Sequence, residues 1–96
     1  MKINIFGSTG IIGKKSLLIL KKYFPEIKIN LLVANKNYKS LIAQIHSFKP
    51  KYVYLKDNKN FYKFNNELIK TNTKILSQSE LFLYLDSSKS DMSLLS

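Results

Sequence analysis

The stretch Ile3-Asn4-Ile5-Phe6-Gly7-Ser8-Thr9-Gly10-Ile11-Ile12-Gly13 constrains this chain more than any other. A short apolar run enters a turn with glycine at every third position, and a lysine-flanked apolar segment follows at once. Strand, glycine turn and helix, in that order, is how α/β proteins hold the pyrophosphate of a dinucleotide. Gly7 lets the chain leave the strand sharply, Gly10 lets backbone approach a phosphate, and Gly13 lets the new helix pack close to the strand. The free N–H groups at the helix start, with the positive end of the helix dipole, would receive the anion. Gly7, Ser8, Thr9, Gly10, Ile11, Ile12 and Gly13 are the first candidate cofactor-binding residues. The spacing is G-x-x-G-x-x-G rather than the commoner G-x-G-x-x-G, so the motif takes its weight from the strand before it and the helix after it. A tight βα turn without a ligand is the alternative.

Beyond the turn, the spacing predicts a helix from Ile11 to Tyr23 with Ile12, Ser16, Ile19, Leu20 and Tyr23 on one face, closed by Pro25. A strand over Lys28 to Ala34 carries the apolar run Leu31-Leu32-Val33. Then comes a helix from Tyr38 to Phe48 with Leu41, Ile42, Ile45 and Phe48 on one stripe, His46 lying beside it. Pro50 separates it from a strand at Tyr52-Val53-Tyr54-Leu55. Asp57 or Asn58 is a candidate cap for a helix bearing Phe61, Phe64, Leu68 and Ile69. A short strand, Thr73 to Leu76, leads to Ser77 and Glu80, which read as a capping box. The helix after it presents Leu81, Phe82 and Leu85 inward. This alternation predicts a Rossmann-like parallel sheet with helices on both faces. The sheet is incomplete, with about four strands and four helices and the start of a fifth strand after a serine-rich linker. Residues 1–86 read as an incomplete dinucleotide-binding domain, and residues 87–96 as that linker and a strand just begun.

The end of the second strand is the other informative place. In an NAD-binding fold an Asp or Glu about twenty residues past the glycine turn bonds the ribose 2′-hydroxyl. Here Asn35-Lys36-Asn37 stands instead. An ammonium attracts a 2′-phosphate where a carboxylate would repel it, so these three residues favour NADP(H). Asn37 also suits the cap of the next helix.

The net charge of +10 raises a second function class, a small basic nucleic-acid-binding module, helped by Phe61, Tyr62 and Phe64 among lysines. All sixteen basic residues are lysine and they are spread along the chain. Arginine, the residue best suited to forked phosphate and guanine contacts, is missing, and a solvated lysine surface is the reading adopted. Lacking cysteine and having one histidine, His46, the chain has no thiol chemistry and no self-contained zinc site. No signal peptide and no membrane-length apolar run is evident, so a cytoplasmic location without a membrane partner is expected. No acid pair, nucleophile–base pair or metal cluster is evident, and no catalytic or metal residue is assigned.

Three segments together resemble one family. Phe6-Gly7-Ser8-Thr9-Gly10-Ile11-Ile12-Gly13 resembles the opening G-S-T-G-S-I-G of 1-deoxy-D-xylulose 5-phosphate reductoisomerase. Leu32-Val33-Ala34-Asn35-Lys36-Asn37 is similar to its A-x-x-A-G-K-N segment, and Phe48-Lys49-Pro50-Lys51-Tyr52-Val53 to its F-x-P-x-x-V. The resemblance covers nearly the whole chain, but only the NADPH-binding region of the family. It implies an enzyme of non-mevalonate isoprenoid biosynthesis, homodimeric when complete. That enzyme rearranges a sugar phosphate and reduces the resulting aldehyde with NADPH to 2-C-methyl-D-erythritol 4-phosphate, using Mg²⁺ or Mn²⁺. It further implies that Thr9, Gly10, Ile11 and Ile12 lie at the pyrophosphate, and Asn35, Lys36 and Asn37 around the adenosine 2′-phosphate. Ile11 replaces the family's usual serine and Asn35 its usual glycine, which removes a hydroxyl contact and some backbone freedom. The family's catalytic and metal-binding parts lie beyond residue 96, so a truncated and inactive fragment is expected.

Overall fold

The computed structural model describes residues 2–57, 59, 61–87 and, for the backbone, 92–95. Strands and helices alternate: β1 (Lys2–Phe6), α1 (Ile11–Tyr23), β2 (Lys28–Ala34), α2 (Tyr38–Phe48), β3 (Tyr52–Leu55), α3 (Phe61–Leu68), β4 (Lys74–Ile75), α4 (Gln78–Asp86) and β5 (Met92–Leu95). All strand pairs are parallel, and the order across the sheet is β4-β3-β2-β1-β5. The fifth strand, read from the sequence as one just begun, pairs with β1 from Ile3↔Met92 to Phe6↔Leu95.

This order decides which helix covers which face. The chain moves outward from β1 to β4, so three right-handed crossovers put α1, α2 and α3 on one face. It then returns past β1 to β5, and the same handedness sends α4 to the other. The first face buries Ile3, Ile5, Ile29, Leu32, Val53 and Leu55 of the strands against Leu17, Leu41, Ile45, Phe64 and Leu68 of the helices. The second buries Leu31, Leu76 and Leu81, with Phe6, Val33, Tyr52, Tyr54 and Tyr84 packed on them.

Ile29 and Leu32 share a face although strand side chains alternate with a period of two. The register explains this: Ile3 pairs Ile29 but Asn4 pairs Leu31, so Asn30 is the extra residue of a bulge. The Asn30 amide donates to the Tyr84 hydroxyl, which donates to Asn4 Oδ1 at 2.8 Å. Asn4 is thereby satisfied beneath α4, although it is buried.

Three helical faces differ from the sequence reading. On α1 the buried residues are Gly13 and Leu17, with Leu20 half-buried, while Ile12, Ile19 and Tyr23 are exposed. Gly13 must face the end of β1, and this fixes the rotation of the helix. On α4 the inner side is Leu81 and Tyr84, and Phe82 and Leu85 are exposed. The Tyr84 hydrogen bond to Asn4 sets that phase. On α3 Phe64 and Leu68 are buried, but Phe61 is exposed, and Ile69 lies beyond the helix end and is exposed too. Strand β4 is Lys74–Ile75, shorter than the stretch read from the sequence. Of the candidate caps for α3, Asp57 accepts from the Lys59 N–H at 3.0 Å, and Asn58 lies outside the described residues. The capping box is present: Ser77 Oγ accepts from the Glu80 N–H, and Glu80 Oε1 accepts from the Ser77 N–H. That backbone bond, and the Lys74 ammonium 3.0 Å away, hold the Glu80 carboxyl below its usual range.

Candidate functional site

Both turns singled out in the sequence lie at the carboxyl edge of the sheet, on adjacent strands. The glycine turn leaves β1 where the strand order reverses, with β2 on one side and β5 on the other. In open α/β sheets this switch point is where ligands bind.

The glycine turn is built from backbone. Gly7 takes φ of 72°, a left-handed conformation that a side chain would strain. Its N–H and that of Ser8 both donate to Val33 O, at 2.8 and 3.1 Å, tying the turn to the end of β2. The Gly10 N–H donates back to Gly7 O at 3.0 Å. Gly10 is the N-cap of α1 and supplies no side-chain cap, so the N–H groups of Ile11, Ile12 and Gly13 head the helix with no preceding turn to receive them. Gly13 shows why the helix can start here. A Cβ on it would lie 2.2 Å from Gly7 O and 2.8 Å from Ser8 Cα. Gly10, Ile11 and Ile12 are exposed, Gly7 and Thr9 half-buried, and Gly13 and Ser8 buried. Ser8 offers its backbone alone to this surface, since its side chain is fully enclosed.

The second turn is built from side chains. Asn35, Lys36 and Asn37 are all exposed between β2 and α2. Asn35 O accepts from the Asp57 N–H at 2.7 Å, so the loop after β3 holds the first residue. The Tyr38 N–H donates to Lys36 O at 2.9 Å, and Asn37 between them has φ of −82° and ψ of 77°. This is an inverse γ-turn. Asn37 Oδ1 then accepts from the Ser40 N–H at 3.1 Å as the N-cap of α2, as the sequence predicts. Among the described residues Lys36 is in no ion pair. A carboxylate is also absent from the three residues that follow β2, so the turn is cationic.

One residue near the site was missed in the sequence. Gln44, on the inner stripe of α2 between Leu41 and Ile45, is buried and donates from Nε2 to Ser8 O at 2.7 Å. A polar residue set in an otherwise apolar stripe was the available signal. His46 is exposed on α2, away from both turns. Among the described residues no group of three or more His, Asp or Glu could hold a metal ion, and no helix is long and apolar enough to cross a membrane.

A dinucleotide phosphate fits these residues. The exposed backbone at Gly10, the N–H groups that head α1 and the ammonium of Lys36 lie at one edge of the sheet. The family model described as 1-deoxy-D-xylulose 5-phosphate reductoisomerase matches residues 3–95. The enzyme of that name from Pelagibacter ubique is 42% identical over 83 residues, covering 86% of this chain and 19% of the relative. That from Clostridium botulinum strain Okra is 38% identical over 85 residues, 86% of this chain and 22% of the relative. The chain thus spans about a fifth of the length of these relatives. Among solved structures, a DOX-P reductoisomerase in complex with NADPH, fosmidomycin and magnesium superposes with a TM-score of 0.83 at 22% identity, covering 97% of this chain and 23% of that one. The Zymomonas mobilis enzyme in complex with NADPH gives 0.82 at 17% identity, over 96% of this chain and 24% of that one. These two likenesses establish the α/β fold, and the family model with the sequence relatives establishes the lineage: the chain belongs to the 1-deoxy-D-xylulose 5-phosphate reductoisomerase family.

Proposed function

We propose that this chain is the NADPH-binding part of a reductoisomerase, with residues 1–86 as an incomplete dinucleotide-binding domain and residues 87–96 as linker and following strand. Thr9, Gly10, Ile11 and Ile12 receive the pyrophosphate, the N–H groups of Thr9, Ile11 and Ile12 as donors and Gly10 by having no side chain in its way, and Gly7, Ser8 and Gly13 shape the turn that presents them. Asn35, Lys36 and Asn37 surround the adenosine 2′-phosphate. When bound, NADPH supplies a hydride for reduction of an aldehyde. The chain's own residues bind and orient the cofactor and carry out no bond-making step. Rearrangement of the sugar phosphate and its Mg²⁺ or Mn²⁺ site belong to the rest of the family enzyme, so this polypeptide alone is inactive. The lysines near the two turns serve a small phosphorylated cofactor rather than a nucleic acid, and the location is the cytoplasm.

The observation that carries this reading is the pairing of an open helix start with an acid-free, lysine-bearing turn on the adjacent strand. Lys36→Ala tests it. Loss of one exposed charge–phosphate contact is worth on the order of 1 kcal/mol, so NADPH binding should fall about fivefold while NADH binding stays nearly unchanged. Equal loss for both cofactors in a fluorescence titration would contradict the 2′-phosphate assignment.

A further inference from the structure

We propose that Gln44 is a positioning residue for the cofactor pyrophosphate, acting through the Ser8 carbonyl. The inference rests on the NADPH-binding reading above and extends it to a residue that touches no cofactor. Gln44 Nε2 lies 2.7 Å from Ser8 O, and both residues are buried. The carbonyl can only accept, so the amide nitrogen must face it, which fixes the Gln44 orientation. In a trans peptide the C=O and the following N–H point in opposite directions. Holding Ser8 C=O toward α2 therefore turns the Thr9 N–H away from α2. The other donors of the turn are taken: Gly7 and Ser8 by Val33 O, Gly10 by Gly7 O. Among the described residues the Thr9 N–H has no partner. Gln44 thus aims a spare donor of the turn.

The clamp is local and purposeful rather than a by-product of packing. Gln44 Oε1 and Ser8 Oγ are both buried without a hydrogen-bond partner among the described residues. An apolar side chain at position 44 of the α2 stripe would avoid the unsatisfied Oε1. What Gln44 retains is one bond that joins the two turns. Helix α2 carries the Asn37 cap of the lysine turn at its start and the clamp on its second turn. The two halves of the cofactor site therefore share one rigid element.

Removing the clamp should affect the pyrophosphate and spare the 2′-phosphate, the reverse of Lys36→Ala. The probes are NADP⁺, NAD⁺ and adenosine 2′-monophosphate, which lacks the pyrophosphate. Gln44→Leu should weaken NADP⁺ and NAD⁺ by a common factor of about ten and leave adenosine 2′-monophosphate within about twofold. Gln44→Glu gives a readout that simple packing would not move. Its ionised carboxylate has no donor, and protonation, which burial against a carbonyl favours, restores one on acidification. NADP⁺ affinity, relative to the parent chain at each pH, should recover on acidification. Amide exchange at Gly10, whose N–H donates to Gly7 O across the Ser8–Thr9 peptide, gives a readout free of ligand. Relative to the parent chain at the same pH, it should speed up in both variants at pH 7 while the β3 amides stay protected, and for Gln44→Glu the difference should close in acid. A folded Gln44→Leu variant with unchanged NADP⁺ affinity would overturn the clamp. So would equal loss of adenosine 2′-monophosphate, or a Gln44→Glu variant that stays unfolded or defective in acid. Failure of the parent chain to bind NADP⁺ would count against the cofactor reading instead, and the exchange experiment would still decide the clamp.

Discussion

The two turns at the carboxyl edge are made in opposite ways. The glycine turn is backbone packed on backbone, with Gly7 in the left-handed region and Gly13 against the Gly7 carbonyl. The Asn35-Lys36-Asn37 turn is exposed side chains on a loop tethered by Asp57 and capped by Asn37. The first therefore contributes to the fold as well as the ligand, and its donors suit the pyrophosphate of any dinucleotide. The second contributes little to the fold and, under the proposed function, would decide which dinucleotide is preferred. On that proposal generality sits where substitution is least tolerated, and selectivity where it is most tolerated.

Gly13→Ala should produce the largest effect. The added methyl would meet Gly7 O at 2.2 Å, and backbone on both sides cannot yield. We expect a loss of roughly 3 kcal/mol or more, seen as loss of the cooperative thermal transition in circular dichroism. A native-like melt would show that the α1–β1 approach is looser than described.

Gly10→Ala sharpens the contrast within the same turn. Its methyl would sit 3.4 Å from Gly7 O, an ordinary contact, and its φ of −76° suits any residue. The fold should survive, while NADPH and NADH affinities both fall about tenfold because the methyl occupies the space a phosphate would approach. Retained affinity would move the phosphate away from Gly10.

Asn37→Ala probes the other turn and should give the smallest change. It removes the α2 cap, worth about 1 kcal/mol, so chemical denaturation should shift modestly with a folded baseline intact. A loss as large as that of Gly13→Ala would erase the distinction between the turns.

Much of this was legible in the sequence because it was local. The βα turn, the limits of β2, α2 and β3, the Asn37 cap and the Ser77–Glu80 box each depend on residues a few positions apart. What was not legible depends on contacts distant in the chain. The rotation of α1 follows from Gly13 meeting Gly7, which places Leu17 inward and leaves Ile19 outward although both are equally apolar. The phase of α4 follows from Tyr84 reaching Asn4, eighty positions earlier. The bulge at Asn30 shows only in the pairing of β1 with β2. In the candidate site, the glycine and lysine turns were readable as motifs. Gln44 stood out only as a polar residue in an apolar stripe, and its partner is a backbone carbonyl that no residue type reveals.

The most direct test of the central claim is a parallel fluorescence titration of the 96-residue chain with NADPH and NADH. Saturable binding with preference for NADPH is the predicted result. It would show that the glycine turn accepts the pyrophosphate and that Lys36 reads the 2′-phosphate. A folded chain that binds neither, or both equally, would contradict it.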